Sequence, residues 1–267
     1  MKRILLCGLL AAALTSCRSD GGKSVATDGR RSAAPRASLE ERAQQYWQAR
    51  VDKNWKDLYA FLEPWQRASG TPTDYEAWAR DYEPFNVLSF RIVRVDEEGP
   101  YGWVRVNYES TLRLYPDSLP RQTEVDQKWQ AESGNWYPVG AQNVDAYPLS
   151  PAYRDQAGEK QLRQRFQGTW DARRARDWER LYQFVDPNDL DDVSQAEFAE
   201  SESLFEYLSC DVKWIEVVAD QGKVRAAYHH RVTDPNMTKL PPREAEITEF
   251  WVKVNDEWYR DLKRRGQ

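Results

Sequence analysis

The feature that most constrains this chain is a duplication. The segment RAQQYWQARVDKNWKDLYAFLEP (42–64) aligns without a gap on RFQGTWDARRARDWERLYQFVDP (165–187), at a constant offset of 123. The identical pairs include Arg42/Arg165, Trp47/Trp170, Ala49/Ala172, Arg50/Arg173, Trp55/Trp178, Leu58/Leu181, Tyr59/Tyr182, Phe61/Phe184 and Pro64/Pro187. Unrelated segments of average composition would share about one or two identities, and tryptophans would rarely be among them. The register continues with the small slips that loops produce. Thr73-Asp-Tyr-Glu76 matches Ser194-Gln-Ala-Glu197, Val104, Arg105 and Tyr108 match Val224, Arg225 and Tyr228, and Trp129, Trp136 and Tyr137 match Trp251, Trp258 and Tyr259. One folding unit is therefore used twice, at residues 38–148 and 158–264. Each copy has about 110 residues, enough for its own core. Residues 149–157 form the connection, and the segment Tyr147-Pro-Leu-Ser-Pro151 that leads into it reads as a short stiff linker.

Within each copy the apolar spacing begins helical, through Ala43, Trp47, Val51 and Leu58 and again through Phe166, Trp170 and Leu181. Ser38-x-x-Glu41 is a capping box that opens the first copy. Asn54 and Asp177 are placed as N-caps dividing a long helix from a short one. Glu63-Pro64 and Asp186-Pro187 are expected to end the short helix, because a residue before proline resists the α conformation. Thr73-x-x-Glu76 and Ser194-x-x-Glu197 are expected to cap a third helix. The pattern then alternates with period two. Strands are expected over 87–95, 103–115, 123–131 and 136–141, and over 208–218, 224–232, 245–254 and 258–262, with turns at Gly99, Gly134, Gly222 and Asn255-Asp256. Helices first and an antiparallel sheet second predict an α+β fold: two tandem cone domains, each with three N-terminal helices packed on a curved four-stranded antiparallel sheet.

The first residues address the chain. Lys2 and Arg3 make a positive start and 4–14 an apolar run, too short for a bilayer, which needs about 20 residues. This is a signal-peptide pattern over residues 1–16. Its end, Leu14-Thr15-Ser16-Cys17, resembles the lipobox of bacterial lipoproteins. That resemblance implies cleavage before Cys17 and a lipid, diacylglycerol and palmitate-like acyl chains, on its sulfur. Two or three chains at about 0.8 kcal/mol per buried methylene would hold it permanently. Arg18 and Ser19 lack the Asp that, by resemblance to enterobacterial lipoproteins, signals inner-membrane retention, so the outer membrane facing the periplasm is expected. Residues 17–37 are rich in Gly, Ser, Ala and Arg and cannot bury enough surface to fold, so they read as a flexible tether. Cys7 leaves with the signal, which makes Cys210 the single remaining thiol and excludes an intrachain disulfide. The tether is basic while the whole chain carries −5, so the folded part is acidic, which argues against nucleic acid as a partner.

The residues of each copy also resemble the nuclear-transport-factor-like, or SnoaL-like, cone domains. Their opening helix reads W-x-A-x-x-x-x-D-W-x-x-L-Y, matched by 170–182, and their closing hairpin reads W-x-x-x-x-G-x-W, matched by 129–136. Copy one departs with Asn54 in place of Asp, and copy two with Asp256 in place of Gly. These are framework residues, so the resemblance specifies fold rather than function. It implies a spectrum from isomerases, cyclases and dehydratases, with a carboxylate base and a Tyr or His in the cone, to members without catalysis.

Strand parity places Val224, Ala226, Tyr228 and His230 on one face and Arg225 and His229 on the other. Tyr108, Tyr228 and His230 are thus the candidates for touching a ligand, each also readable as packing. Asp126 falls on the face opposite Trp129. The pattern offers no metal constellation, no cofactor fingerprint and no catalytic residue. The sequence therefore points first to a membrane-anchored envelope lipoprotein, a non-catalytic scaffold or binding module for an envelope protein partner. The alternatives are binding of a lipid or other apolar small molecule in a cone pocket, or a ketosteroid-isomerase-like enzyme. The balance leans away from catalysis.

Overall fold

Ser38 opens the first helix as its capping box requires: its hydroxyl accepts from the Glu41 amide and the Glu41 carboxylate accepts from the Ser38 amide. A computed structural model describes residues 37–115, 117–140, 146–234 and 240–264. Cys17, the signal segment and nearly all of the tether lie outside them. The first cone comprises α1 (Leu39–Val51), α2 (Trp55–Leu58), α3 (Pro64–Arg67), α4 (Pro72–Tyr82), β1 (Phe85–Glu98), β2 (Tyr101–Leu112), β3 (Arg121–Glu132) and β4 (Asn135–Pro138). The second comprises α5 (Gln156–Ala175), α6 (Trp178–Tyr182), α7 (Gln195–Ser203), β5 (Phe205–Val218), β6 (Gln221–Val232), β7 (Arg243–Val254) and β8 (Glu257–Arg260). The fold is α+β, with helices preceding each of two separate antiparallel sheets of order β1-β2-β3-β4 and β5-β6-β7-β8.

The duplication extends to irregularities. The β1–β2 register slips between Val87 and Ser89 and between Ile92 and Arg94; the β5–β6 register slips between Tyr207 and Ser209 and between Val212 and Trp214. Such bulges bend a strand and raise its twist, so the paired slips curve both sheets at the same two places. Left-handed residues also recur: Lys53 and Arg176 after the long helices, Gly99 and Ala219 between the first two strands, and Ser133-Gly134 and Asn255-Asp256 at the last hairpin. Two adjacent positive φ values are what a two-residue hairpin turn of matching twist needs. Asp256 holds this conformation in the second copy without glycine's help.

Each sheet folds its inner face onto its long helix. Leu39, Trp47, Val104, Val106, Trp129 and Trp136 form the first core; Leu162, Phe166, Val224, Ala226, Trp251 and Trp258 form the second. A buried tryptophan removes about 150–250 Å² from water, or roughly 4–6 kcal/mol as an upper figure. That concentrates stability where each long helix packs on its sheet. The crossing is tight: a Cβ on Gly222 would stand 2.6 Å from Leu162 Cδ2, and one on Gly102 would collide with Leu39.

Three local expectations are corrected. Thr71, not Thr73, caps α4, because Pro72 takes the first helical position and Asp74 completes the box. Pro64 does not only stop a helix: α2 runs into a 3-10 turn, Tyr59–Phe61, and Pro64 then opens the extra one-turn α3. The last strands stop at Pro138 and Arg260, short of the expected 141 and 262, and Ala141 itself lies outside the described residues.

The linker is fastened to both sheets. Trp103 of β2 donates its indole N–H to Pro148 O and Trp214 of β5 donates to Ala146 O, each at 3.0 Å. Ser150 donates to Asp96 at 2.6 Å, and the Leu149 amide donates to Glu216 at 2.6 Å. Arg154 pairs with Glu98 of the first cone and donates to Ile215 O of the second. No helix among the described residues is long and apolar enough to cross a membrane.

Candidate functional site

Charged side chains inside a cone are costly unless paired, and the second cone gathers four of them into one cluster. Arg173 projects from α5 and is 3 % exposed. It reaches Glu249 on β7 at 2.9 Å, the Tyr228 hydroxyl on β6 at 2.8 Å and Glu202 on α7 at 3.5 Å. Arg260, at the end of β8, closes the ring from the other side, at 3.3 Å from Glu202 and 3.5 Å from Glu249. Tyr228 donates to Glu249 at 2.8 Å and Tyr207 donates to Glu202 at 3.0 Å. The Arg173 guanidinium lies over both tyrosine rings, at 5.5 and 5.2 Å from their centroids, and Trp170 flanks them.

Local structure puts these groups there. Arg173 lies in the last turn of α5, where a cation also suits the helix dipole. Glu249 stands two residues before the core Trp251 on the same strand face. Glu202 lies near the C-terminus of α7, where α7 meets the sheet.

The electrostatics follow from two arginines facing two glutamates. Burial works to raise the carboxyl pKa of Glu249 and Glu202, but Arg173 and Arg260 outweigh it and hold both below the ordinary range. Burial opposes the charge on Arg173 too, yet Glu249, Tyr228 and Glu202 push its pKa well up. Burial lifts the Tyr228 and Tyr207 hydroxyls far above their usual value. The cluster is thus two cations, two anions and two protonated phenols, each turned toward another member. A general base needs a free carboxylate poised near neutral pH. Glu249 is an anion already engaged by three partners.

The first cone is wired differently. Gln127 occupies the place of Glu249 and accepts from the Trp47 indole at 3.1 Å. Arg50, the counterpart of Arg173, turns outward to Glu83 at 2.7 Å, with both side chains 17 % exposed. Tyr108 lies tilted against Trp47, with ring centroids 4.9 Å apart.

Of the sequence candidates, Tyr228 lies in the cluster and Tyr108 at its counterpart in the other cone. His230 stands outside the ring, half-buried, its edge against Phe205 at 5.2 Å and its Nδ1 3.3 Å from Tyr228 O. Asp126 lies on the outer sheet face and pairs with Arg105 at 2.6 Å. Cys210 faces Tyr228 across the β5–β6 ladder, and burial raises its thiol pKa to about 11. Sequence reasoning missed Arg173, Glu202, Glu249 and Arg260 as a set. The available signal was parity: Glu249 shares a strand face with Trp251. No group of His, Cys, Asp and Glu among the described residues could hold a metal ion.

Two concavities lie elsewhere. An open groove of about 520 Å³ runs between α5 and the β7–β8 hairpin, lined by Gln161, Arg165, Phe184 and Trp258 among others. A second, of about 240 Å³, lies beside the linker at Leu149, Glu216 and Phe250.

No protein-family model matches the chain, and no curated protein matches it. Among solved structures, a SEC-C motif containing protein from Rhodopseudomonas palustris is similar at 17 % identity, over 39 % of this chain and 76 % of that one, with a TM-score of 0.31. An NTF2-like protein involved in plasmid conjugation is similar at 12 % identity, over 84 % of this chain and 95 % of that one, with a TM-score of 0.28. Both are distant; the two sheets and their registers define the fold here.

Proposed function

We propose that the chain is an envelope lipoprotein, anchored through Cys17 to the periplasmic face of the outer membrane, whose two cones act as a non-catalytic scaffold or binding module for an envelope protein. The observation that carries the non-catalytic part is the occupancy of Glu249. The carboxylate in the cone that could serve as a base is held ionised by Arg173 and Arg260 and hydrogen-bonded by Tyr228. The matching place in the first cone is an amide, Gln127. A ring whose members pair with one another favours rigidity over turnover, with Glu249 Oε1 taking the hydrogen bonds and Oε2 facing Arg260 at 3.5 Å. The linker contacts support a scaffold, since they tie both sheets to one short segment.

The anchor rests on the residues from Lys2 to Cys17. Metabolic labelling with a fatty-acid analogue tests it: the wild type is expected to take up label and Cys17→Ala to lose it. Equal labelling of both would sink the anchor.

One observation favours the isomerase-like reading, the 2.8 Å contact between Tyr228 and Glu249 inside a cone. It would require a ligand to pull Glu249 from two arginines, and it predicts a carboxyl that titrates near neutrality once they are displaced.

A further inference from the structure

The first cone carries an exposed apolar cluster at the C-terminal end of α4. Trp78 and Tyr82 stack along α4 at 6.4 Å, 52 % and 69 % exposed. Beside them the connection from β2 to β3 presents Leu114, Tyr115 and Leu119, at 77 %, 66 % and 86 %. Arg113 joins the two parts by donating to Arg80 O and Asp81 O at the end of α4. Monomeric surfaces rarely keep such a contiguous patch without a use.

We propose that this patch docks on the lipid bilayer to which the tether leads. The inference rests on the lipid anchor proposed above. Three features select lipid over protein. The leucines stand out from a loop tip rather than lining a groove, which suits a deformable phase better than a fitted pocket. The flanking side chains are Trp and Tyr, whose apolar bodies and polar tips favour the membrane–water interface. The patch belongs to the cone joined directly to the tether. Ser38 begins at the opposite end of that cone, about 33 Å away along β2 at ~3.3 Å per residue. The segment from Cys17 to Ser38 is long enough to span about 70 Å at most. The tether therefore lets the patch reach the surface and keeps its local concentration there high. Around the patch Arg80 pairs with Glu76, and Arg113 and Arg121 stand against Asp81 and Asp117 in the same segments, so the patch is close to neutral and calls for a zwitterionic surface.

The full chain, isolated from membranes, would be reconstituted into phosphatidylcholine–phosphatidylethanolamine vesicles with plain or brominated acyl chains, with intact mass reporting lipid on Cys17. Bromine is expected to quench part of the tryptophan emission; Trp78→Phe should remove most of that quenching and Leu119→Ser should cut it several-fold. Leu119 is exposed enough that its replacement leaves the core untouched. Lipid on Cys17 without quenching overturns the docking alone. Quenching in a chain without lipid on Cys17 supports the docking and overturns the anchor, and absence of both overturns both. Quenching that survives Trp78→Phe, or self-association abolished by Leu119→Ser with no quenching, also overturns the docking, the latter giving the patch to a second copy.

Discussion

Gln127 and Glu249 occupy the same register position in the two sheets, each two residues before the buried tryptophan, Trp129 or Trp251, that anchors the strand to its helix. One is an amide that accepts from Trp47; the other is a carboxylate held by Arg173, Arg260 and Tyr228. The duplicated backbone is thus filled in two ways. The first cone is sealed by aromatic stacking with its Arg50–Glu83 pair at the margin, and the second by an internal charge ring.

Glu249→Gln should therefore behave as the breaking of a buried pair. It leaves Arg173, with 3 % of its side chain exposed, facing a neutral group. The expected loss is roughly 3–5 kcal/mol, measured by urea unfolding of the variant against the wild type. Gln127→Ala removes only one neutral hydrogen bond, and a loss of about 1 kcal/mol is expected. Comparable losses for both would contradict the difference in wiring.

The same ring sets a direction for acid stability. Glu202 and Glu249 are held below the usual carboxyl value despite burial, by Arg173 and Arg260. An unfolded glutamate titrates near 4.3, so above about that pH the unfolded chain gains no proton and the stabilisation is fully present. As pH falls through the folded values, the unfolded state binds more protons and the stabilisation is lost. Hydrogen exchange is expected to show β6 and β7 opening before β2 and β3 as pH drops below about 4. Simultaneous opening would count against it.

Gly222→Ala tests the tightness of the helix–sheet crossing. The new Cβ would meet Leu162 Cδ2 at 2.6 Å and Trp258 Cζ3 at 3.2 Å. The Leu162 side chain is fully buried, so its methyl must shift against the core around it. A loss of about 1–3 kcal/mol is expected for this overpacking, read as a lowered Tm of the second cone. An unchanged Tm would mean that the α5 contact is looser than described.

The elements were legible because their signals are local. Ser38, Asn54, Asp177 and Ser194 cap helices through side chains three residues or fewer from the amides they satisfy. Period-two alternation, with Val224, Ala226 and Tyr228 inward, survives in the sequence because a core face admits few residue types. Thr71 escaped because a tempting Thr-x-x-Glu pattern begins two residues later, and the weight of Pro72 at the first helical position went unread. The charge ring escaped for a different reason. Arg173, Glu202, Glu249 and Arg260 come from four elements, and residues of these types are ordinarily assigned to solvent. Only their convergence in space turns them into an interior, although Glu249's shared face with Trp251 was a usable hint.

The carboxyl titration of Glu249 decides whether the second cone's interior charges neutralise one another. With 13C-labelled glutamate, and Glu249→Gln to identify its signal, the resonance of Glu249 is expected to stay that of an ionised carboxylate down through the ordinary glutamate range. A midpoint near neutral pH would contradict the account, because it would mark Glu249 as a free base inside the cone.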